Sequence, residues 1–220
     1  MLNRIQPLVG FIYKDVCLRE SPQPDKPGRI DLQIECPEGR PGQCGECLKA
    51  CPGYDLQPER AWRFVPLWGI PTYFLYSSRR VECSTHGMGV EFLPWSAGKR
   101  PVTLAMMCFL ATWARRWSWL ETARAFGTSW ESGYRSVEWF VEWGLKHRKL
   151  EGIESIGRDE IHWGKGHGAN RFLTVIYQID ATCRRRLWVG PKRTQATLKR
   201  GLAALGSEVV GGLRYVCSDM

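Results

Sequence analysis

A chain of 220 residues with 44% hydrophobic and 24% charged side chains has room for one large domain or two to three small ones, and is too apolar for a disordered tail. Lys and Arg outnumber Asp and Glu by 31 to 22, with most of the net +9 in residues 101–220; such an excess suits a polyanionic partner, nucleic acid first. The longest apolar stretch, residues 104–111, is far short of the ~20 residues that cross a bilayer, which excludes a membrane span.

The opening Met1-Leu-Asn-Arg-Ile-Gln-Pro lacks the apolar region of a secretory leader. Nine cysteines in such a chain point to a reducing, cytoplasmic home, where clustered thiols bind metal or lie buried.

Residues 1–35 read as an extended N-terminal segment. Ile30, Leu32 and Ile34 alternate with Asp31 and Gln33, the pattern of a half-buried strand. The Pro-rich run 21–28 before it is turn and linker chemistry. Residues 36–100 form a Cys-containing β module. Cys44 and Cys47 make a Cys-x-x-Cys pair in a Gly-bearing turn. Strand candidates 61–65 and 72–76 follow, separated by the breaker run 66–71. Cys83 and His86 make a Cys-x-x-His pair, and residues 94–101 close the module as a linker.

Residues 101–150 are helical. Residues 102–117 are apolar nearly all round, the mark of a helix buried among neighbours. Ser118 with Glu121 predicts a capping box for a short helix ending near Gly127. The next helix carries Trp130, Tyr134, Val137, Val141 and Leu145 on one stripe, and the tight Gly-bearing turn before it suggests a helix-turn-helix. Residues 151–220 supply strand candidates 155–163, 172–179, 185–189 and 213–218 and a helix over 194–205, an α/β pattern.

Cys44, Cys47, Cys83 and His86 suit one structural zinc, since thiolates and imidazole close a four-ligand shell; the alternative is unmetallated thiols in a small core. Cys51, and more weakly Cys36, can stand in for a ligand. For the helices, a DNA reading turns Glu131, Ser132, Arg135 and Ser136 outward to the major groove. Arg115, Arg116, Arg124 and Arg148 are then phosphate contacts. A plain three-helix packing unit fits the pattern equally well, with Trp139 and Trp143 as packing residues.

Asp159 lies among Ile156, Ile161 and Trp163, where a carboxylate costs burial energy unless a metal or hydrogen bond compensates. Paired with Asp219 it suggests a two-metal phosphoryl-transfer site; the bland reading is a surface Asp near a strand end. Glu160 alternates away from Asp159, and His162 and His167 lack zincin spacing. The basic run Arg184-Arg185-Arg186, with Lys192-Arg193 and Lys199-Arg200, lines a DNA path or is simply solvated.

The chain resembles transposases of the ISL-three insertion-sequence family nearly end to end. The resemblance rests on Leu2-Asn-Arg4, Cys44-x-x-Cys47, Pro52-Gly-Tyr-Asp55, Phe64-Val-Pro-Leu-Trp-Gly69, Arg79-Arg-Val81 and Cys83-x-x-His86-Gly87. It extends through Val137-Glu-Trp139, Val141-Glu-Trp-Gly-Leu145, Asp159-Glu-Ile-His-Trp163, Lys165-Gly-His167 and Leu187-Trp-Val-Gly190. It implies a multidomain α+β protein: an N-terminal zinc-binding β module, a central helix-turn-helix and a partial RNase H-like α/β domain. The partner it implies is DNA at transposon terminal inverted repeats, with homo-oligomers on that DNA, in a cytoplasmic, nucleoid-associated protein.

Asp159 and Asp219 match the first two members of the family's magnesium-holding Asp-Asp-Glu triad. The third lies well beyond the second Asp, whereas this sequence ends one residue after it. On that ground the expectation is a truncated catalytic domain that binds DNA with little or no strand cleavage. The alternative is a non-catalytic DNA-binding protein, a repressor or inhibitor of the intact transposase.

Overall fold

The computed structural model describes residues 7–23, 27–164 and 171–218. It divides into two compact units, Met1–Leu145 and Lys146–Met220. In the first, the N-terminal segment does more than lead in. Strand β1 (Ile12–Arg19) runs antiparallel to β2 (Arg29–Glu35), which continues parallel to β7 (Ile70–Tyr76). With β6 (Arg60–Leu67) they form one sheet in the order β1-β2-β7-β6, so β1 and β2 share a sheet with two strands of the Cys-bearing module.

The run 66–71, expected to separate two strands, does so only at Trp68 and Gly69, the turn of a tight hairpin between β6 and β7. Trp68 and Gly69 both take positive φ, 51° and 80°, the geometry that matches the twist of the flanking strands. The register slips between Phe64 and Leu67, which accommodates Pro66, a residue with no N–H to give the ladder. Asp31, expected to face water, is 2% exposed. It is ion-paired with Arg19 and, at 2.8 Å, with Arg29, which compensates its burial.

Trp95, expected in a linker, is central to the core of this unit. Edge-on contacts join its ring to Phe11 at 4.9 Å, Tyr76 at 5.5 Å and Trp62 at 6.0 Å. Two small β elements complete the module. One is a ribbon of β3 (Gly42–Gln43) and β4 (Ala50–Cys51); the other is a sheet of β5 (Gly53–Leu56), β8 (Arg79–Cys83) and β9 (Gly87–Val90). Glu91 ties them to the main core. Its buried carboxylate accepts from Tyr76 Oη at 2.7 Å, the Arg79 peptide N–H at 2.8 Å and Arg79 Nη2 at 2.6 Å. Burial, and then the Glu91 carboxylate, push the Tyr76 hydroxyl well above the ordinary tyrosine range.

Helix α1 (Leu104–Trp113) starts at Thr103, whose hydroxyl accepts from the Met106 N–H, and buries Met106, Met107 and Leu110 completely. It stops short of the expected residue 117. Helix α2 (Trp119–Ala125) has the expected capping box: the Glu121 N–H donates to Ser118 Oγ at 3.2 Å, and the Ser118 N–H donates back to Glu121 at 2.9 Å. The Ser118 N–H, and then its hydroxyl, donate to the Glu121 carboxylate and hold it below its usual range. Helix α3 (Trp130–His147) follows a turn in which Gly127 takes φ 56°, and Ser129 caps it by accepting from the Ser132 N–H at 3.1 Å. The stripe Trp130, Tyr134, Val141 and Leu145 is exposed rather than packed. The packed side of α3 lies instead at Gly133, Ser136, Trp139 and Phe140, because Trp139 and Phe140 reach the core around Met106 and Leu110.

In the second unit β10 (Ser155–His162), β11 (Phe172–Asp180) and β12 (Cys183–Pro191) are consecutive antiparallel strands. Helices α4 (Gln195–Leu205) and α5 (Ser207–Gly211) then carry the chain across, and β13 (Tyr215–Ser218) joins the far side of β10 in parallel. The order is β12-β11-β10-β13. Helix α4 covers the face bearing Ile176 and Trp188, so closely that a Cβ on Gly201 would stand 2.7 Å from each side chain. Gly157, Asp159, Val175 and Tyr177 occupy the other face, by strand alternation.

Replacing Glu91 by Ala leaves the Arg79 guanidinium and the Tyr76 hydroxyl without their acceptor. The expected loss is roughly 3–5 kcal/mol of stability for the first unit, read as a lower urea midpoint at unchanged m-value.

Candidate functional site

The first candidate site is built by two turns. In the turn after β3 the Cys44 N–H donates to Lys49 O at 2.9 Å, the Leu48 N–H to Cys44 O at 3.0 Å, and the Glu46 N–H to Cys44 Sγ at 3.5 Å. Leu48 takes a positive φ of 59° to close the loop. Cys83 ends β8, and Gly87 at φ 70° lets the chain turn back with His86 beside it. The two turns bring Cys44 Sγ to 3.6 Å from His86 Nδ1, Cys83 Sγ to 3.6 Å from the same nitrogen, and Cys47 Sγ to 3.7 Å from Cys83 Sγ. All four ligand atoms lie within 4.8 Å of one another.

Those separations have the size of tetrahedral edges. Thiolates about 2.3 Å and an imidazole about 2.0 Å from one metal stand about 3.8 Å (S to S) and about 3.5 Å (S to N) apart. The electrostatics agree with thiolate ligands. Peptide N–H groups of Thr85 and His86, and the His86 ring, pull Cys83 down to about 5; peptide N–H groups of Cys47 and Glu46 lower Cys44. The Lys49 N–H favours the Cys47 thiolate, but burial and the two neighbouring sulfurs outweigh it and raise that thiol. His86 is raised by Cys83 and Cys44, and its Nε2 lies 3.6 Å from Glu46 Oε2, a contact that orients the ring. These four side chains can hold a metal ion. Cys51 stands outside the set, buried and donating to Lys49 O at 3.4 Å, and Cys36 packs on the separate aromatic core.

The second candidate site is the α2-turn-α3 pair. Arg115, Arg116 and Arg124 are exposed, as are Glu131 and Arg135, which pair with each other at 2.7 Å. Ser132 is half-buried against Ser129. Ser136 is not on the outward face: it is 1% exposed and donates to Ser132 O at 2.6 Å. Arg148 is occupied too, donating to Leu187 O. Sequence reasoning missed Arg63. From β6 it donates to Phe126 O and Gly127 O, both at 2.8 Å, and fastens the turn to the main sheet. Its own N–H and C=O bond Pro101 O and the Thr103 N–H. A lone Arg in a strand gives no sign of such a partner.

The third is the Asp159 face of β10. Asp159 is exposed, not buried among Ile156, Ile161 and Trp163, and its Oδ1 accepts from the Glu160 N–H at 2.6 Å. Ile161 and Trp163 are exposed with it. Glu160 points to the other face, paired with Arg158. His162 stacks edge-on to Phe172 at 5.1 Å. Parallel pairing sets Arg158 opposite Ser218, the residues just before the two Asp positions. Asp219 and His167 lie outside the described residues. Among the described strands of this sheet, Asp159 is the sole carboxylate on its face.

Residues 156–220 match a family model described as "Transposase", the DDE type of the ISL3 family. The transposase for insertion sequence element IS1557 of Mycobacterium tuberculosis is 29% identical over 184 residues, 80% of this chain and 39% of that protein. The transposase for IS1001 of Bordetella parapertussis is 24% identical over 200 residues, 90% of this chain and 48% of that one. The chain therefore spans less than half the length of the curated relatives it matches. No solved structure matches it. Among the described residues no helix is long and apolar enough to cross a membrane.

Substituting Arg63 by Ala removes two hydrogen bonds from a charged donor, roughly 2 kcal/mol of local opening. Amide exchange across α2 and the following turn should quicken by about thirtyfold, with β10–β12 amides unchanged. Unchanged exchange in the turn would show that Arg63 does not hold it.

Proposed function

We propose that this chain, a relative of the ISL3-family insertion-sequence transposases, binds the terminal inverted repeats of such an element and contributes Asp159 to strand cleavage and transfer. The observation that carries the reading is the parallel pairing of β10 with β13 inside the segment matching the transposase family. Three antiparallel strands, a crossover helix and a fourth strand parallel to the first are the expected beginning of an RNase H-like sheet. That order sets the end of β13 beside Asp159.

Recognition falls to the first unit. Its α2-turn-α3 pair acts as a helix-turn-helix, with Glu131, Ser132 and Arg135 toward base edges and Arg115, Arg116 and Arg124 on phosphates. Ser136 is withdrawn from that role by its burial. Cys44, Cys47, Cys83 and His86 hold a structural zinc, since three sulfurs and one imidazole are its usual closed shell. The zinc fixes the β8–β9 hairpin, and Arg63 fixes the reading pair.

Magnesium is the ion this family reading implies at Asp159; two such ions supply an activated oxygen nucleophile and a stabilised leaving oxygen. Among the described residues of that face Asp159 is one carboxylate, where shared sites need several. Asp159 itself is exposed on an open strand face, as a ligand for an incoming phosphodiester centre must be. A second reading, a non-catalytic DNA-binding protein acting on the same ends, assigns Asp159 no chemistry.

Asp159→Asn separates the two. In the transposase reading it abolishes Mg²⁺-dependent nicking and joining of terminal-repeat DNA by the whole protein while its footprint on that DNA persists. Strand chemistry unaffected by Asp159→Asn would remove the residue from the site. A total lack of strand chemistry in the unaltered whole protein, with the footprint intact, would favour the repressor reading.

A further inference from the structure

The run Arg184-Arg185-Arg186 is consecutive in sequence, and the sheet divides it. Arg184 pairs with Ile179 and Arg186 with Tyr177, whose face is also that of Gly157 and Asp159. The assignment holds through the bulge at Leu187, because Trp188 pairs with Ile176 under α4. Ile179 confirms the shared face from the other side: a Cβ on Gly157 would meet its Cγ2 at 3.3 Å. Arg185 goes to the opposite face and is used there, its Nε donating to Gln178 Oε1 at 2.8 Å and its Nη2 to Lys149 O at 2.7 Å.

Arg184 and Arg186 are exposed, and among the described residues neither has an ion-pair partner. They stand about 7 Å apart along one strand, and Arg186 lies two strands over and two residues along from Asp159, about 12 Å away by ladder spacing. Around them the face is apolar, with Ile179 and Val189 exposed at its edge and Val175 buried between Val189 and Asp159. Two guanidinium groups free of ion pairs, beside the Asp159 carboxylate, would attract the phosphodiester backbone of a strand led across that carboxylate.

We propose that Arg184 and Arg186 are positioning residues for the DNA strand that crosses Asp159, binding its phosphates, and that Arg185 is structural. This rests on the transposase reading above. The contacts are to backbone phosphates, so they are indifferent to base sequence.

The test is fluorescence anisotropy of the full chain with a labelled duplex of arbitrary sequence over a range of salt concentrations. The slope of log K against log salt should become shallower by about 1.8 in R184Q/R186Q, two phosphate contacts at about 0.9 each. R184K/R186K should keep the parent slope, and R185Q should keep it too while unfolding at a lower temperature. The lysine pair also guards against misfolding as a cause. A slope in R184Q/R186Q equal to the parent's overturns the proposal alone; absence of salt-dependent binding by the unaltered chain overturns it together with the transposase reading.

Discussion

The first unit depends on holding four ligand atoms from two separate turns within 4.8 Å of one another. Nothing in a two-residue ribbon and three short strands can do so by apolar burial; the only fully apolar side chain among the buried members of that cluster is Val81. Instead the chain uses peptide N–H groups aimed at sulfur, left-handed residues at Leu48 and Gly87, and one buried carboxylate. Glu91 has a double part. Its side chain anchors Arg79 at the start of β8, and its backbone bridges to Cys44, so the cysteine pair and the Cys–His pair are referred to the same residue. A metal shared by the turns, as proposed above, would complete what the hydrogen bonds prepare.

In the second unit the governing constraint is strand alternation. Side chains on successive residues go to opposite faces, so a helix lying on one face assigns every residue of the sheet a role. Helix α4 takes the Ile156, Ile176 and Trp188 side as core. That leaves Asp159 open, and it separates residues that look equivalent in sequence. Glu160 turns to the α4 face and pairs with Arg158, while Arg185 is drawn into hydrogen bonds that its two neighbours lack.

Much of this was legible beforehand, for physical reasons that can be named. The ligand pairs were visible because cysteine and histidine at short spacing have few other uses; the α2 capping box was visible because it is a local reciprocal bond. The strands of the second unit fall on the strand candidates of the sequence, where β-branched and aromatic residues cluster. What stayed hidden depends on contacts distant in sequence. The stripe through Trp130 and Tyr134 looked like the packing face of α3, but the neighbours of Met106 select Trp139, already a packing candidate, together with Phe140, and leave Trp143 exposed. Ser136 looked outward for the same reason. Asp31 looked solvated because Arg19, which reaches it from β1, stands twelve residues away, although Arg29 lies two residues before it; the flanking apolar residues suggested a buried Asp159, yet Ile161 and Trp163 share its exposure.

The central claim, that a zinc ion closes the first unit, is tested most directly by X-ray absorption at the zinc edge on the purified chain. The account predicts one zinc per chain with three sulfurs at about 2.3 Å and one nitrogen at about 2.0 Å. A metal-free chain with the same cooperative unfolding temperature before and after chelation would contradict it.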